Sequence, residues 1–190
     1  MKDLIEEIKQ CTICSKHLPL GPRPVFSIAK DSKIAIIGQA PGTKVHESGI
    51  PWDDASGKQL RKWLAVTEEE FYNPSNFAII PMGFCYPGKG KSGDLPPRTE
   101  CAPQWHKILF EQIDSIQLMI LIGTYAQHYY LKNSMKKNLT DTVLHFNEYL
   151  PHYFPLPHPS PRNRFWLSKN KWFEKDVIPQ LKLMTRNIIK

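Results

Sequence analysis

Short runs rich in β-branched residues alternate with helical patterns along this chain, and this alternation restricts the folds open to it. Clear strand candidates lie at 33–37, 77–81 and 118–122, and a weaker one lies at 153–156. Helical patterns occupy about 57–64, 102–113, 124–131 and 172–184. Strands that alternate with helices in this way form a parallel sheet that helices cover on both faces. We therefore expect the α/β class, as a three-layer α/β/α sandwich with a central four-stranded parallel sheet.

Length and composition indicate one domain of enzyme size. The chain has 190 residues, of which 41% are hydrophobic, and this is enough to fill one core. No apolar run approaches the ~20 residues that a membrane span needs. The charged start, MKDLIEEIKQ, is unlike a signal peptide. We predict a single domain over 1–190 with an N-terminal arm over 1–30, and we expect a cytoplasmic monomer with no membrane partner.

Four cysteines fall into two pairs that one site could use only if the fold brings them together. Cys11 and Cys14 lie in a polar turn near the start, and Cys85 and Cys101 bracket a loop rich in proline, glycine and lysine. Soft thiolates favour zinc or an iron-sulfur cluster over hard cations, and the spacing alone does not decide between these two. Two structural disulfides or four unrelated buried thiols are the alternatives, although nothing in the chain looks secreted.

Two loops that follow predicted strands carry candidate site residues. Ligands of parallel sheets bind beyond the carboxyl ends of the strands. The turn GQAPG at 38–42 lacks the glycine spacing of both common nucleotide-binding loops. Its backbone could instead approach a flat ligand closely, and Gln39 offers both a donor and an acceptor. Near the end, prolines on both sides of His158 hold its imidazole rigidly, so that it could donate to a developing anion.

The formal net charge is +7, and part of it is concentrated near the C-terminus. Five cations, Arg162, Arg164, Lys169, Lys171 and Lys175, alternate within fourteen residues with four aromatic residues, Phe165, Trp166, Trp172 and Phe173. This pattern fits a polyanion partner such as DNA. It fits equally a solvated helix face whose aromatic side chains turn inward.

Taken together, GQAPG, HPSPRN at 158–163 and the two cysteine pairs resemble the uracil-DNA glycosylase superfamily, most closely its iron-sulfur branch, family four. The resemblance covers most of the chain. In that family an aromatic residue ten positions after the glycine turn stacks on the flipped base. It is preceded by Gly-x-Pro and followed five residues later by glycine. Trp52 stands at this position, with GIP at 49–51 and Gly57 in the same frame.

The resemblance implies a DNA glycosylase of base excision repair that hydrolyses the N-glycosidic bond of uracil or a related damaged base. The catalytic candidates are His158, Gln39 and Asp53. The base would be bound by Trp52, Gly38, Gln39, Ala40 and Gly42. DNA would be contacted by Ser160, Arg162, Asn163 and Arg164. A 4Fe-4S cluster, with zinc as the alternative, would be held by Cys11, Cys14, Cys85 and Cys101, the first two from the N-terminal arm.

Two positions depart from the family pattern. Gln39 stands where the family has an acidic residue that orients the attacking water, and a neutral amide cannot act as a general base. Asp53 or Asp54 could take this role, although Asp54 or Ser56 could instead cap the next helix. Pro81 stands where the family reads uracil with an asparagine, so the sequence leaves the identity of the base open.

Two other functions fit the same residues. One is a non-catalytic protein that recognises damaged or single-stranded DNA on the same fold. The other is a zinc-stapled α/β domain that acts on free nucleosides or another small ligand. The remaining aromatic and histidine residues, Trp63, Trp105, Tyr129, His106, His128 and His145, we assign to the core.

Overall fold

The computed structural model describes residues 1–91 and 93–190, and four strands in this part form one parallel sheet. The strands are β1 (Ile34–Ile37), β2 (Phe77–Ile79), β3 (Leu118–Ile122) and β4 (Tyr153–Leu156), in the order β2-β1-β3-β4. Ile34 of β1 pairs with Phe77 on one side and with Leu118 on the other. Met119 pairs with Tyr153. The predicted fold class is therefore confirmed.

Helices of five to twelve residues flank this sheet. In the described part of the chain they are α1 (Lys2–Lys9), α2 (Thr43–Ser48), α3 (Ala55–Leu64), α4 (Glu68–Tyr72), α5 (Cys101–Phe110), α6 (Thr124–Leu131), α7 (Leu139–Leu144), α8 (Arg164–Lys169) and α9 (Ile178–Ile189). A π-helical turn, Phe173–Val177, leads into α9. Across the described residues, no helix has both the length and the apolarity that crossing a bilayer requires.

Successive side chains of each strand enter two separate hydrophobic clusters, one on each face of the sheet. In β1, Ile34 and Ile36 face the cluster that contains Trp63, whereas Ala35 and Ile37 face the cluster that contains Trp105. All four β1 side chains are fully buried. Both faces are therefore covered, as the near-continuous apolar character of the strands predicts. The carboxyl ends of the strands are left to form a site.

The core assignments made from single residues are right for some side chains and wrong for two. Trp63, Trp105 and His106 are buried, and Tyr129 is half-buried. His128 and His145, assigned to the core, are exposed. On α6 the buried positions are Ala126, Gln127 and Leu131, so residue 128 points away from the sheet. His145 follows α7, and its Nδ1 pairs with a backbone carbonyl of that helix.

Candidate active site

A cleft of about 470 Å³ opens beyond the carboxyl ends of the strands. The turn after β1 contributes Gly38, Gln39, Ala40 and Gly42 to its lining, and the loop after β4 contributes His158, Ser160 and Arg162. Trp52, from the segment before α3, lines it as well. Three candidates do not line this cleft: Asp53, Asn163 and Arg164. The fold thus brings together most of the residues that the two motifs select.

Trp52 is held in the cleft by two glycines that leave room for it. A Cβ on Gly38 would lie 2.9 Å from Cζ2 of the indole, and a Cβ on Gly57 would lie 1.8 Å from the Trp52 carbonyl oxygen. The backbone of Trp52 has a φ of 58°, which is costly for a large side chain and persists only where packing enforces it. The indole lies 5.6 Å from the His158 ring, centroid to centroid, at an angle of 33°.

His158 is fixed from behind by its own loop. The side-chain amide of Asn163 donates a hydrogen bond of 2.6 Å to the His158 carbonyl, and Ser160 Oγ accepts one of 3.2 Å from the Arg162 backbone. Burial lowers the pKa of His158, and the negative charges of Asp54 and Asp94 oppose this shift. A neutral imidazole can donate one hydrogen bond and accept another. The Asn163 side chain supports His158 in this arrangement.

Gln39 is tied to a second loop across the cleft. Its Nε2 donates a hydrogen bond of 3.1 Å to the carbonyl of Leu95, in the loop between Cys85 and Cys101. The backbone of the Gln39 turn is also fixed by the segment after β2, because the N–H groups of Met82 and Gly83 donate to the carbonyls of Gly38 and Gln39. One of its two side-chain N–H donors is therefore used to hold this loop.

Three aspartates near the cleft have different surroundings. Asp54 caps α3, accepting a hydrogen bond of 2.8 Å from the Gly57 backbone, as one sequence interpretation predicted. Asp53 is exposed and does not line the cleft. Asp94, which sequence reasoning missed, does line it. The signal that could have found it is its place in the glycine-rich loop that the second cysteine pair brackets.

Pro81 follows β2 and forms part of the cleft floor. Its carbonyl lies 3.0 Å from Nε2 of His106, whose Nδ1 lies 2.6 Å from the Tyr130 hydroxyl. Burial lowers the pKa of His106 to about 4, so the imidazole is neutral at pH 7. We assign the proton to Nε2, which donates to Pro81, while Nδ1 accepts from Tyr130. This buried pair fixes the backbone where the cleft meets the sheet.

All four cysteines, Cys11, Cys14, Cys85 and Cys101, line one small cavity beside Arg98. None of them forms a disulfide. Burial raises the pKa of Cys85 to about 11 and that of Cys101 to about 12, so a thiolate at either position needs a compensating positive charge. Among the described residues, no three potential ligands converge closely enough to hold a single metal ion.

Comparison with known proteins adds two findings. The model of the uracil DNA glycosylase superfamily matches residues 26–182, a span that contains both cleft loops and the second cysteine pair. One similar solved structure is the solution NMR structure of a provisionally named uracil DNA glycosylase from Methanosarcina acetivorans. The two chains are 14% identical, the match covers 88% of this chain and 99% of the other, and the TM-score is 0.48.

Proposed function

Because this chain belongs to the uracil-DNA glycosylase superfamily, we propose that it is a DNA glycosylase that releases uracil or a related damaged base. The observation that carries this proposal is the meeting of Trp52 and His158 in one cleft, with ring centroids 5.6 Å apart. A flat aromatic surface beside a held imidazole suits a base that has left the duplex stack. Extrusion of a base costs only a few kcal/mol, least when it is damaged or mispaired.

The chemistry needs stabilisation of two opposite charges. When the N-glycosidic bond breaks, the base leaves as an anion and the sugar becomes cation-like. His158 would donate a hydrogen bond to the departing base, and a neutral imidazole has the one N–H that this needs. Trp52 would stack on the face of the base, and backbone groups of the turn at 38–42 would hold its polar edge. Asn163 would keep His158 aimed by holding its carbonyl.

Few side-chain groups of the cleft are placed to read the edge of a base. Pro81 lines the cleft floor and offers no side-chain hydrogen bond. One N–H of the Gln39 amide is used by Leu95. Base recognition would therefore depend on backbone groups and on the remaining N–H and oxygen of the Gln39 amide, which can pair with more than one base edge. We therefore propose that the cleft accepts uracil and other damaged bases of similar shape.

DNA would lie across the mouth of the cleft, along the loop that follows His158. Ser160 and Arg162 line this side of the cleft, and Arg164 is exposed at the start of α8. Cationic side chains in such positions grip phosphates and set the register of the duplex without reading its sequence. The exposed ring of Phe165, with 81% of its surface accessible, lies next to them.

We further propose that the protein belongs to the iron-sulfur branch of the superfamily, family four, and that its four cysteines hold a 4Fe-4S cluster. All four line the same cavity, which is what a shared centre requires. A cluster binds each thiolate through a different iron atom, whereas zinc needs all four within ~2.3 Å of one point. Four thiolates suit either centre, and the resemblance to family four is what favours the cluster over zinc. When bound, it would cross-link the N-terminal arm to the loop at 86–100.

The test is base release by anaerobically purified protein whose iron content and colour are measured. The substrates are duplex and single-stranded oligonucleotides that carry uracil, hypoxanthine, xanthine or oxidised pyrimidines. We expect catalytic release of at least one base and a large loss of release in His158→Ala. The matched control is His152→Ala, because His152 is exposed at the opposite end of β4.

Two results would contradict the proposal. Binding of the oligonucleotides without release of any base would indicate a protein that recognises DNA without cutting it. Colourless protein with neither release nor salt-sensitive binding would indicate a domain that acts on small ligands.

A further inference from the structure

The loop between Cys85 and Cys101 folds back over the cleft as a short hairpin, which we call the cleft hairpin (residues 88–91 and 93–95). Gly90 donates a backbone hydrogen bond of 2.7 Å to Gly93, and Leu95 donates one of 2.8 Å to Gly88. Lys89 and Asp94 form an antiparallel bridge. These contacts place Asp94 at a fixed position at the edge of the cleft.

The Asp94 carboxylate lies over the glycine turn that follows β1. Its Oδ2 is 3.3 Å from the point that a Cβ on Gly42 would occupy. Because residue 42 is glycine, it has no side chain to separate the Asp94 carboxylate from the backbone of the turn. The carboxylate also lies close enough to His158 for its charge to act on the imidazole. Asp94 and His158 therefore face the same space in the cleft.

Gln39 holds the cleft hairpin in this position. It stands where the family that the chain resembles has an acid, yet its amide donates to Leu95, the residue after Asp94. A carboxylate at position 39 could not make this hydrogen bond, because an ionised carboxylate has no proton to donate. The glutamine therefore fits a cleft in which the cleft hairpin supplies the carboxylate, that of Asp94, and Gln39 holds the hairpin in place.

The other aspartates are less suited to act on water in the cleft. Asp54 lines the cleft too, but its carboxylate accepts from the Gly57 backbone as the cap of α3. Asp53 and Asp94 are both exposed, but Asp53 does not line the cleft. Of these three carboxylates, only that of Asp94 both lines the cleft and is not a helix cap.

We propose that Asp94 is the catalytic residue that orients the attacking water and accepts its proton, an inference that rests on the proposed glycosylase function. The water oxygen forms a bond to C1′ of the sugar as the bond from C1′ to the base nitrogen breaks. The electron pair of that bond leaves with the base, which His158 stabilises. One water proton passes to Asp94 and then to solvent, and the other stays on the new sugar hydroxyl.

The experiment compares Asp94→Asn with the wild-type protein in single-turnover base release, with enzyme in saturating excess over an oligonucleotide that the wild-type protein cleaves. Loss of a general base lowers the rate by ~10²-fold or more. We expect this fall in Asp94→Asn at saturation, with the affinity for DNA within a few-fold of wild type. Asp31→Asn is the matched control, because Asp31 is exposed at the opposite end of β1 and is expected to keep the wild-type rate.

Two further variants separate the carboxylate from the shape of the hairpin. Asp94→Glu keeps the carboxylate and is expected to retain more activity than Asp94→Asn. Equal losses in both would assign the effect to hairpin geometry and overturn the inference. A wild-type rate in Asp94→Asn, or a loss found in Asp53→Asn instead, would also overturn it while leaving the glycosylase function intact. If the wild-type protein releases no base, the proposed function and this inference fail together.

Discussion

Two glycines shape the cleft because they have no side chain. A methyl group on Gly38 would clash with the Trp52 ring, and one on Gly57 would clash with the Trp52 carbonyl. The indole is thereby fixed beside His158 in a backbone conformation that it would not adopt alone. This explains in physical terms why a glycine follows the aromatic residue at a fixed spacing.

Replacement of Trp52 by alanine should weaken binding of the extruded base specifically. Stacking of a base on an aromatic side chain is worth ~1–3 kcal/mol, so we expect affinity to fall by about fivefold to over a hundredfold. The measurement is the affinity of the protein for two oligonucleotides, one undamaged and one carrying a non-hydrolysable analogue of the nucleotide whose base is released. Trp52→Phe, which keeps a flat ring, should retain part of the preference. An equal loss of affinity for undamaged DNA would show that Trp52 only supports the fold.

His106 should make the stability of the fold depend on pH. Its pKa is about 4 in the folded protein and near 6.5 when unfolded, so the unfolded chain binds more protons between these values. The free energy of unfolding therefore falls as the pH is lowered through this window, by on the order of 2 kcal/mol between pH 7 and pH 5. Urea denaturation at the two pH values measures it.

The control for this effect is a second pair of denaturation curves. His106→Gln should be less stable than wild type at pH 7, because the buried pair with Tyr130 is lost, but it should lose less further stability at pH 5. His152→Gln, at an exposed position, should behave like the wild type at both pH values. An unchanged pH dependence in His106→Gln would assign the effect to other groups.

At the scale of elements, the strands are predictable from the sequence, whereas most of the short helices, apart from α6 at 124–131, are not. All four strands lie within the predicted runs, because parallel strands buried on both faces read as continuous apolar segments. Helices α1, α2, α4, α7 and α8 have five to eight residues, too few to show a clear helical period. The predicted helix at 172–184 begins instead as a π turn and continues to Ile189.

The cleft hairpin could not be predicted, because its position depends on contacts that are distant in sequence. Gln39 binds Leu95 across 56 residues, and Gly88 packs against Pro19 of the N-terminal arm. Local sequence shows only a glycine-rich loop. Trp52 was found because the resemblance supplies its spacing, and His158 because it follows a predicted strand between two prolines. Asp94 was missed because no such pattern includes it.

A cluster at the four cysteines would fix both ends of the loop that carries the cleft hairpin. Removal of iron, or Cys85→Ser, should therefore loosen this loop and accelerate tryptic cleavage after Lys89, which is exposed. Cleavage after Lys169, in α8, serves as the internal control. We expect base release to fall in parallel, since Asp94 lies in the same loop. Unchanged cleavage after Lys89 in protein without iron would show that the cluster does not hold the loop.

On the scale of the whole molecule, the C-terminal basic region has both features that its sequence allowed: aromatic side chains that turn inward and cations that face solvent. Trp166, Trp172 and Phe173 pack on one another with ring centroids 5.4–6.3 Å apart and join the core. Phe165 is exposed, and so is Arg164 beside it. The inward aromatic residues anchor this segment to the core, and Arg162 and Arg164 are exposed beside the cleft. A formal net charge of +7 favours approach of a polyanion to this surface.

This arrangement predicts how DNA binding depends on salt. Each phosphate contact releases about one counterion, so Arg162→Gln and Arg164→Gln should each lower the slope of log affinity against log salt concentration by about 1. Lys30→Gln is the matched control, because Lys30 pairs with Asp114 at 3.8 Å at the opposite end of β1 and should leave the slope unchanged. Titrations of one labelled duplex at several salt concentrations give the three slopes. An equal change in all three variants would show that DNA responds to net charge alone, whereas a change confined to the two arginines would locate the duplex at the mouth of the cleft.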